Sequence, residues 1–212
     1  MPEASSSIDD RTYWAQLCPT SVSSSDVTRA LIFVVVTAAL AYLSRASLAD
    51  PHSHGFHRFF AWELIVALVL VNFVSLRQWF GDPLSFRQFV SWALLFGSLV
   101  PVVSGVHLLR TAGKPERGQR VDEPLLEIEK TTRLVTTGMF KYIRHPLYSS
   151  LLLLTWGVFF KYPSWLAGAL ALGASSFLLA TAKTEERENV RYFGPAYRAY
   201  MQRTKMFVPF VF

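Results

Sequence analysis

Five stretches of the chain, Ala30 to Ser44, Leu64 to Leu76, Gln88 to Leu109, Pro146 to Phe160 and Tyr162 to Ala182, contain no Asp, Glu, Lys or Arg. A helix crossing the apolar core of a bilayer needs about 20 mostly apolar residues, and the third and fifth stretches meet that length outright. The second meets it by starting near Phe59 and admitting Glu63, whose place near the span's end predicts snorkelling toward water. The first and fourth are short, and need flanking Arg or Lys side chains to snorkel or a locally thinned bilayer. The expectation is an all-α integral membrane protein with about five transmembrane helices. Pro101 is expected to kink the third span, and Asn72 and His107 to make helix contacts.

Charge is concentrated between those runs. With 51% hydrophobic and 17% charged residues the chain is neither disordered nor an ordinary soluble domain. Its net charge of +6 therefore reads as basic loops on an anionic membrane face, and no nucleic-acid partner is expected. Eight of the 21 Lys and Arg residues lie between Arg110 and His145 and six more lie from Lys183 onward. The positive-inside rule places both segments in the cytosol, and the two runs between them, joined by a tight turn at Lys161-Tyr162-Pro163, return the chain to one side. Five spans then put the N-terminus on the far side, and the loop from Arg45 to Arg58 in the cytosol.

The single cysteine, Cys18, excludes a disulfide framework and a thiolate zinc cluster. His52, His54 and His57 have no accompanying ligands at metal spacing, so no metal is expected. The chain divides into a polar, mobile tail (1–28), three N-terminal spans (29–110) and a core of loop, helical hairpin and tail (111–212).

Candidate chemistry falls in the last of these. Pro146 suits a first helical position, where its missing N–H costs nothing, and this puts Arg144 and His145 beside the positive end of a helix. The two residues read either as a carboxylate-binding corner or as interfacial anchors. Beyond the fifth run, Glu185 and Glu186 point about 100° apart on a helix, so only one is expected to reach a shared site; the charged run also reads as a solvated helix face. Gly194-Pro195 should interrupt that helix and restart it. Phe193, Tyr197 and Tyr200 then form a stripe expected to lie against lipid headgroups. The apolar end, Met206 to Phe212, is expected to fold onto the bilayer surface or over the loop as a lid.

The series Leu-Val-Thr-Thr-Gly-x-Phe-x-Tyr-x-Arg-His-Pro-x-Tyr, followed by Glu-Glu, then Tyr-Phe-Gly-x-x-Tyr-x-x-Tyr and Phe-x-Pro-Phe, resembles the isoprenylcysteine carboxyl methyltransferase family and its phospholipid N-methyltransferase relatives. It covers about Thr131 to Phe212. The resemblance implies an integral membrane enzyme of the endoplasmic reticulum with its site facing the cytosol, using S-adenosylmethionine. Its cofactor site would comprise Thr132, Arg133, Leu134, Val135, Phe140, His145, Pro146, Leu147, Tyr148 and Glu185. Phe140 stands where the family commonly has Tyr. Thr181 stands where carboxyl-methylating members have an Arg four residues before the acidic pair, with Lys183 nearby.

Methyl transfer from a sulfonium asks the protein mainly to align the reactants and exclude water. An ionised carboxylate needs no base, and Arg144 is the expected group to hold it; an amine acceptor must lose a proton, for which Glu186 is the expected base. The leading reading is methylation of a prenylated cysteine carboxylate. The alternatives are a phospholipid amine or other small lipophile as acceptor, and a non-catalytic membrane scaffold or transporter.

Overall fold

The structure, a computed structural model, describes residues 24–73, 79–113 and 131–210. Among these residues the chain is all helical apart from turns and one isolated bridge. The helices are α1 (Ser24–Leu43), the short α2 (Arg45–Leu48), α3 (His54–Phe73), α4 (Phe86–Ala112), α5 (Pro146–Lys161), α6 (Trp165–Phe193) and α7 (Pro195–Arg203), with a 3-10 turn at Gly138–Lys141. Four of them, α1, α3, α4 and α6, are long and apolar enough to cross a membrane. The fold is thus that of an all-α membrane protein.

The expected fifth span is the short one. At 16 residues α5 rises about 24 Å, less than the roughly 30 Å apolar core, because the Arg-His-Pro corner bounds it at one end and Lys161 at the other. Lys161 does not snorkel into water. It is fully buried, its Nζ 3.4 Å from the Trp92 ring centroid and 2.9 Å from Gln88 Oε1. At the other extreme α6 has 29 residues, of which those to Ala182 are uncharged; the charged part from Lys183 has the composition of a helix end in water. The first helix is regular from Ser24, inside the stretch expected to be a mobile tail. Its first turn is held by an Asp26–Arg29 pair at 2.9 Å and by Thr28 donating to the Ser24 carbonyl.

Two close pairings build the bundle, α4 against α5 and α3 against α6. Buried Ala167, Ala171, Ala174, Leu178 and Ala182 form one stripe of α6, and small residues there let the backbones of α3 and α6 approach. Ala61, Ile65 and Leu68 of α3 face that stripe. In the other pair a Cβ on Gly157 would lie 2.9 Å from Leu95 Cδ2 and 3.1 Å from its backbone nitrogen, so glycine is what lets α5 meet α4. Ser91 Oγ seals the contact by donating to the Gly157 carbonyl at 2.7 Å.

Polar groups within the spans are likewise tied across helices. Glu63 does not snorkel: its Oε2 accepts from Thr37 Oγ1 of α1 at 2.6 Å. Asn72 is fully buried, donating to the Leu68 carbonyl and accepting on its own carbonyl from Trp79 Nε1. Pro101 lies within α4, which runs on through it. The start of α3, the ends of α4 and α6, the start of α5 and all of α7 meet at one end of the bundle, where the candidate site lies.

Candidate functional site

Pro146 occupies the start of α5, as its chemistry dictates, with His145 as the preceding cap. Two of the donors at this corner are taken up by the chain itself. The backbone N–H groups of Arg144 and His145 donate to the carbonyls of Lys205 and Met206 at 2.8 and 3.1 Å, and Lys205 N–H returns a bond to the Tyr142 carbonyl at 3.0 Å. Ile143 and Lys205 thereby form an isolated parallel bridge. The stretch from Lys205 to Phe207 therefore buttresses the corner. Phe207 is buried, its ring centroid 6.1 Å from that of His145.

Arg144 is engaged in the same way. Its Nε donates to Glu186 Oε1 at 2.5 Å, while Nη1 donates to the carbonyls of Thr204 and, at 3.3 Å, Met201. The guanidinium that was expected to grip a carboxylate is thus largely occupied in joining the corner to the end of α7.

Glu185 and Glu186 both reach His145, one at each ring nitrogen. Glu185 Oε2 lies 3.6 Å from Nδ1 and Glu186 Oε1 lies 3.3 Å from Nε2. Their Cα positions diverge, but an imidazole seated between them offers a nitrogen to each flexible side chain. Burial disfavours the imidazolium, yet Glu185 and then Glu186 outweigh it and hold the His145 pKa above its ordinary value. Burial would raise the Glu185 pKa, but the charge of His145, its hydrogen bond, His54 and Tyr148 bring it down. For Glu186 burial is likewise outweighed, by bonds from His145 and Arg144. Glu185 remains 25% exposed while Glu186 is only 9% exposed, which leaves Glu185 as the acid open to a ligand.

That opening is a cleft of about 680 Å³ counting its mouth. Among the residues expected at the site, Arg133, Leu134, Val135, Phe140 and Arg144 line it, as do His145, Pro146, Leu147, Tyr148 and Glu185. Thr132 and Glu186 are not in its wall: Thr131 and Arg133 flank the former, and Glu186 sits behind His145 and Arg144.

Sequence reasoning missed the rest of the wall. Leu109 closes it from α4, and Asn189 and Phe193 from α6. Tyr197 and Tyr200, expected against headgroups, are 3% and 4% exposed and face the cleft instead. Tyr200 Oη donates to the Phe140 carbonyl at 2.7 Å, tying α7 to the 3-10 turn. Burial first, then Glu185 and Glu186, raise the Tyr197 pKa; burial also raises that of Tyr200, so both phenols stay neutral. The Tyr197 partner Asn189 lies two turns short of Tyr197 and was signalled only by sharing its helical end with Glu185. Among the described residues no group of His, Cys, Asp and Glu side chains could hold a metal ion.

Comparison with known proteins adds a second line of support. Methanethiol S-methyltransferase 1 of Bradyrhizobium diazoefficiens is 28% identical over 58% of this chain and 40% of its own length. Methanethiol S-methyltransferase 2 of the same organism is 36% identical over 36% of this chain and 29% of its own. A methanethiol S-methyltransferase of Pseudomonas sp. is 36% identical over 34% of this chain and 26% of its own. The matches thus span less than half the length of each of these relatives. All three are bacterial, which leaves the expected endoplasmic reticulum location without support. No solved structure matches the chain. From residue 121 to residue 196, a stretch that holds the Arg-His-Pro corner and both acids of α6, the chain matches the model of the phospholipid methyltransferase family.

Proposed function

We propose that this protein is a membrane methyltransferase that binds S-adenosylmethionine in the cleft and methylates a small apolar nucleophile, a thiol in the first instance. The observation that carries the reading is the opening of Glu185 into a cleft of about 680 Å³ walled by Phe140, Tyr148, Phe193 and Tyr197. The donor set fits the group: a carboxylate suits hydroxyls or an ammonium, and aromatic faces suit an adenine or a sulfonium. S-Adenosylmethionine, when bound, supplies a methyl group made electrophilic by its sulfonium.

The chain's own residues have three tasks. His145, locked between Glu185 and Glu186 and stacked on Tyr148 with centroids 5.4 Å apart, fixes the direction of the Glu185 carboxylate. Leu109, Leu147 and Phe140 keep the far wall apolar, which excludes water and suits an apolar acceptor. Glu185, ionised and open to the cleft, accepts hydrogen bonds from the cofactor's hydroxyls or ammonium, and the thiol proton is lost to water. Glu186 does not suit the expected role of base, since Arg144 and His145 hold its pKa low and it is outside the wall.

Two observations favour this acceptor over a prenylated cysteine carboxylate. The Arg144 guanidinium is engaged by Glu186 and two carbonyls, and Thr181 is fully buried, donating to the Phe177 carbonyl at 2.7 Å. The relatives' names point the same way. Calorimetry in detergent should show binding of S-adenosylmethionine and S-adenosylhomocysteine; no affinity for either favours a scaffold or transporter and overturns the reading. Radiolabelled methyl should then appear on short alkyl thiols. Label on a farnesylcysteine analogue, released by base as methanol, or base-stable label on an amine lipid, would reassign the acceptor.

A further inference from the structure

Residues 121–196 account for the corner and the acids, but the polar end of α6 also meets the start of α3, far outside that stretch. Glu188 grips His54 twice. Its Oε1 accepts the His54 backbone N–H at 3.0 Å and its Oε2 lies 2.5 Å from His54 Nδ1. His54 begins α3, so the carboxylate also sits at the positive end of that helix. Glu188 is one turn from Glu185 on α6, and His54 stands near enough to Glu185 to act on it electrostatically.

The turn that presents His54 is closely built. Ser53 Oγ lies 3.1 Å from the Ser47 carbonyl and 2.8 Å from that of Asp50, and accepts Phe56 N–H at 3.2 Å. Asp50 Oδ1 accepts His52 N–H at 2.9 Å. A Cβ on Gly55 would lie 2.3 Å from Ser47 Oγ, so α3 starts pressed against α2. His54 itself is 2% exposed, a polar ring held at one orientation by Glu188.

We propose that His54 is a positioning residue of the cofactor site: clasped by Glu188, it fixes the polar end of α6 against α3 and so sets where Glu185 stands. The second N-terminal span then takes part in the site through one turn, not merely as a membrane anchor. The inference rests on the proposed cofactor reading, and goes beyond it by assigning a site role to a residue outside the family's matched stretch.

The test is a set of full-length variants, His54→Ala, His54→Asn, Glu188→Gln and His54→Ala combined with Glu185→Gln, each titrated with S-adenosylhomocysteine after its melting temperature is recorded. His54→Ala and Glu188→Gln should weaken binding by about 5- to 30-fold in the folded protein. Asn places an amide donor near the position of Nδ1, so His54→Asn should recover most of the affinity. In the Glu185→Gln background the His54→Ala loss should shrink, because both changes act through one carboxylate. Unaltered affinity in a folded His54→Ala protein, or the full loss persisting without Glu185, would overturn the assignment. If the unmutated protein itself does not bind the cofactor, the functional reading fails and this inference falls with it; binding by the unmutated protein with no change on His54→Ala sinks the inference alone.

Discussion

A buried imidazole with a carboxylate at each nitrogen holds its proton more tightly than a free one, and that fixes how His145 and its partners respond to pH. The His145 pKa lies above 6.5, so its contribution to stability is complete below about pH 6.5 and is lost as pH rises through the raised folded value. The Glu185 and Glu186 pKa values lie below 4.5, so theirs is complete above about pH 4.5 and is lost as pH falls through the lowered values. Melting temperature in detergent should therefore fall on both sides of a plateau. His145→Gln should flatten the alkaline fall; an unchanged alkaline limb would show that His145 does not cause it. At the same scale, Glu185→Gln removes a charged acceptor and should weaken S-adenosylhomocysteine binding on the order of 10- to 100-fold with the protein still folded. Glu186→Gln should instead lower stability more than affinity, since its partners are Arg144 and His145 and not the cleft. Calorimetry beside thermal melting separates the two outcomes.

Elements were more legible in the sequence than the contacts between them. Absence of charge is a property of each residue, so summing it along the chain finds α3, α4 and α6 with no knowledge of neighbours. The same rule left α5 ambiguous, because 16 apolar residues describe a short span and a buried helix equally well. Pro146 marked a helix start through its own chemistry, and Gly194, at φ 61°, marked the break before α7. What patterning could not decide was the direction of an amphipathic face: Tyr197 and Tyr200 satisfy a headgroup or a cleft wall with one spacing, and only their buried positions choose. Nor does sequence show how closely two helices approach. Gly157 is that case, and Gly157→Ala should destabilise the protein by about 1–3 kcal/mol, since a methyl group would meet the Leu95 backbone. Unfolding by a titration of denaturing detergent measures it; a change near zero would mean that α4 and α5 part without cost.

Across the whole molecule the site is an assembly of distant pieces, which is why its motifs were visible and their jobs were not. The Arg-His-Pro corner was conspicuous, yet the carbonyls that satisfy its N–H groups come from Lys205 and Met206, at the far end of the chain. No spacing rule connects segments separated by the whole of α5, α6 and α7. The same distance explains why Arg144 was expected to face an acceptor: nothing near it in sequence announces Thr204 or Met201. Phe207 is the clearest test of this coupling. It lies 6% exposed in the cluster that includes Tyr148, Ala182 and Ile65, and Ser149 Oγ stands 2.8 Å from its carbonyl. Phe207→Ala should cost about 3–5 kcal/mol of stability, because the ring's surroundings belong to α3, α5 and α6 and cannot close on the space together. If the tail is a buttress, the loss must also reach the cleft: His145, packed against that ring, should reorient and cofactor affinity should fall along with stability. Phe207→Leu, which keeps most of the apolar volume, should restore both. A lid would behave differently, with affinity reduced, cofactor release quickened and the melting temperature of the ligand-free protein unchanged.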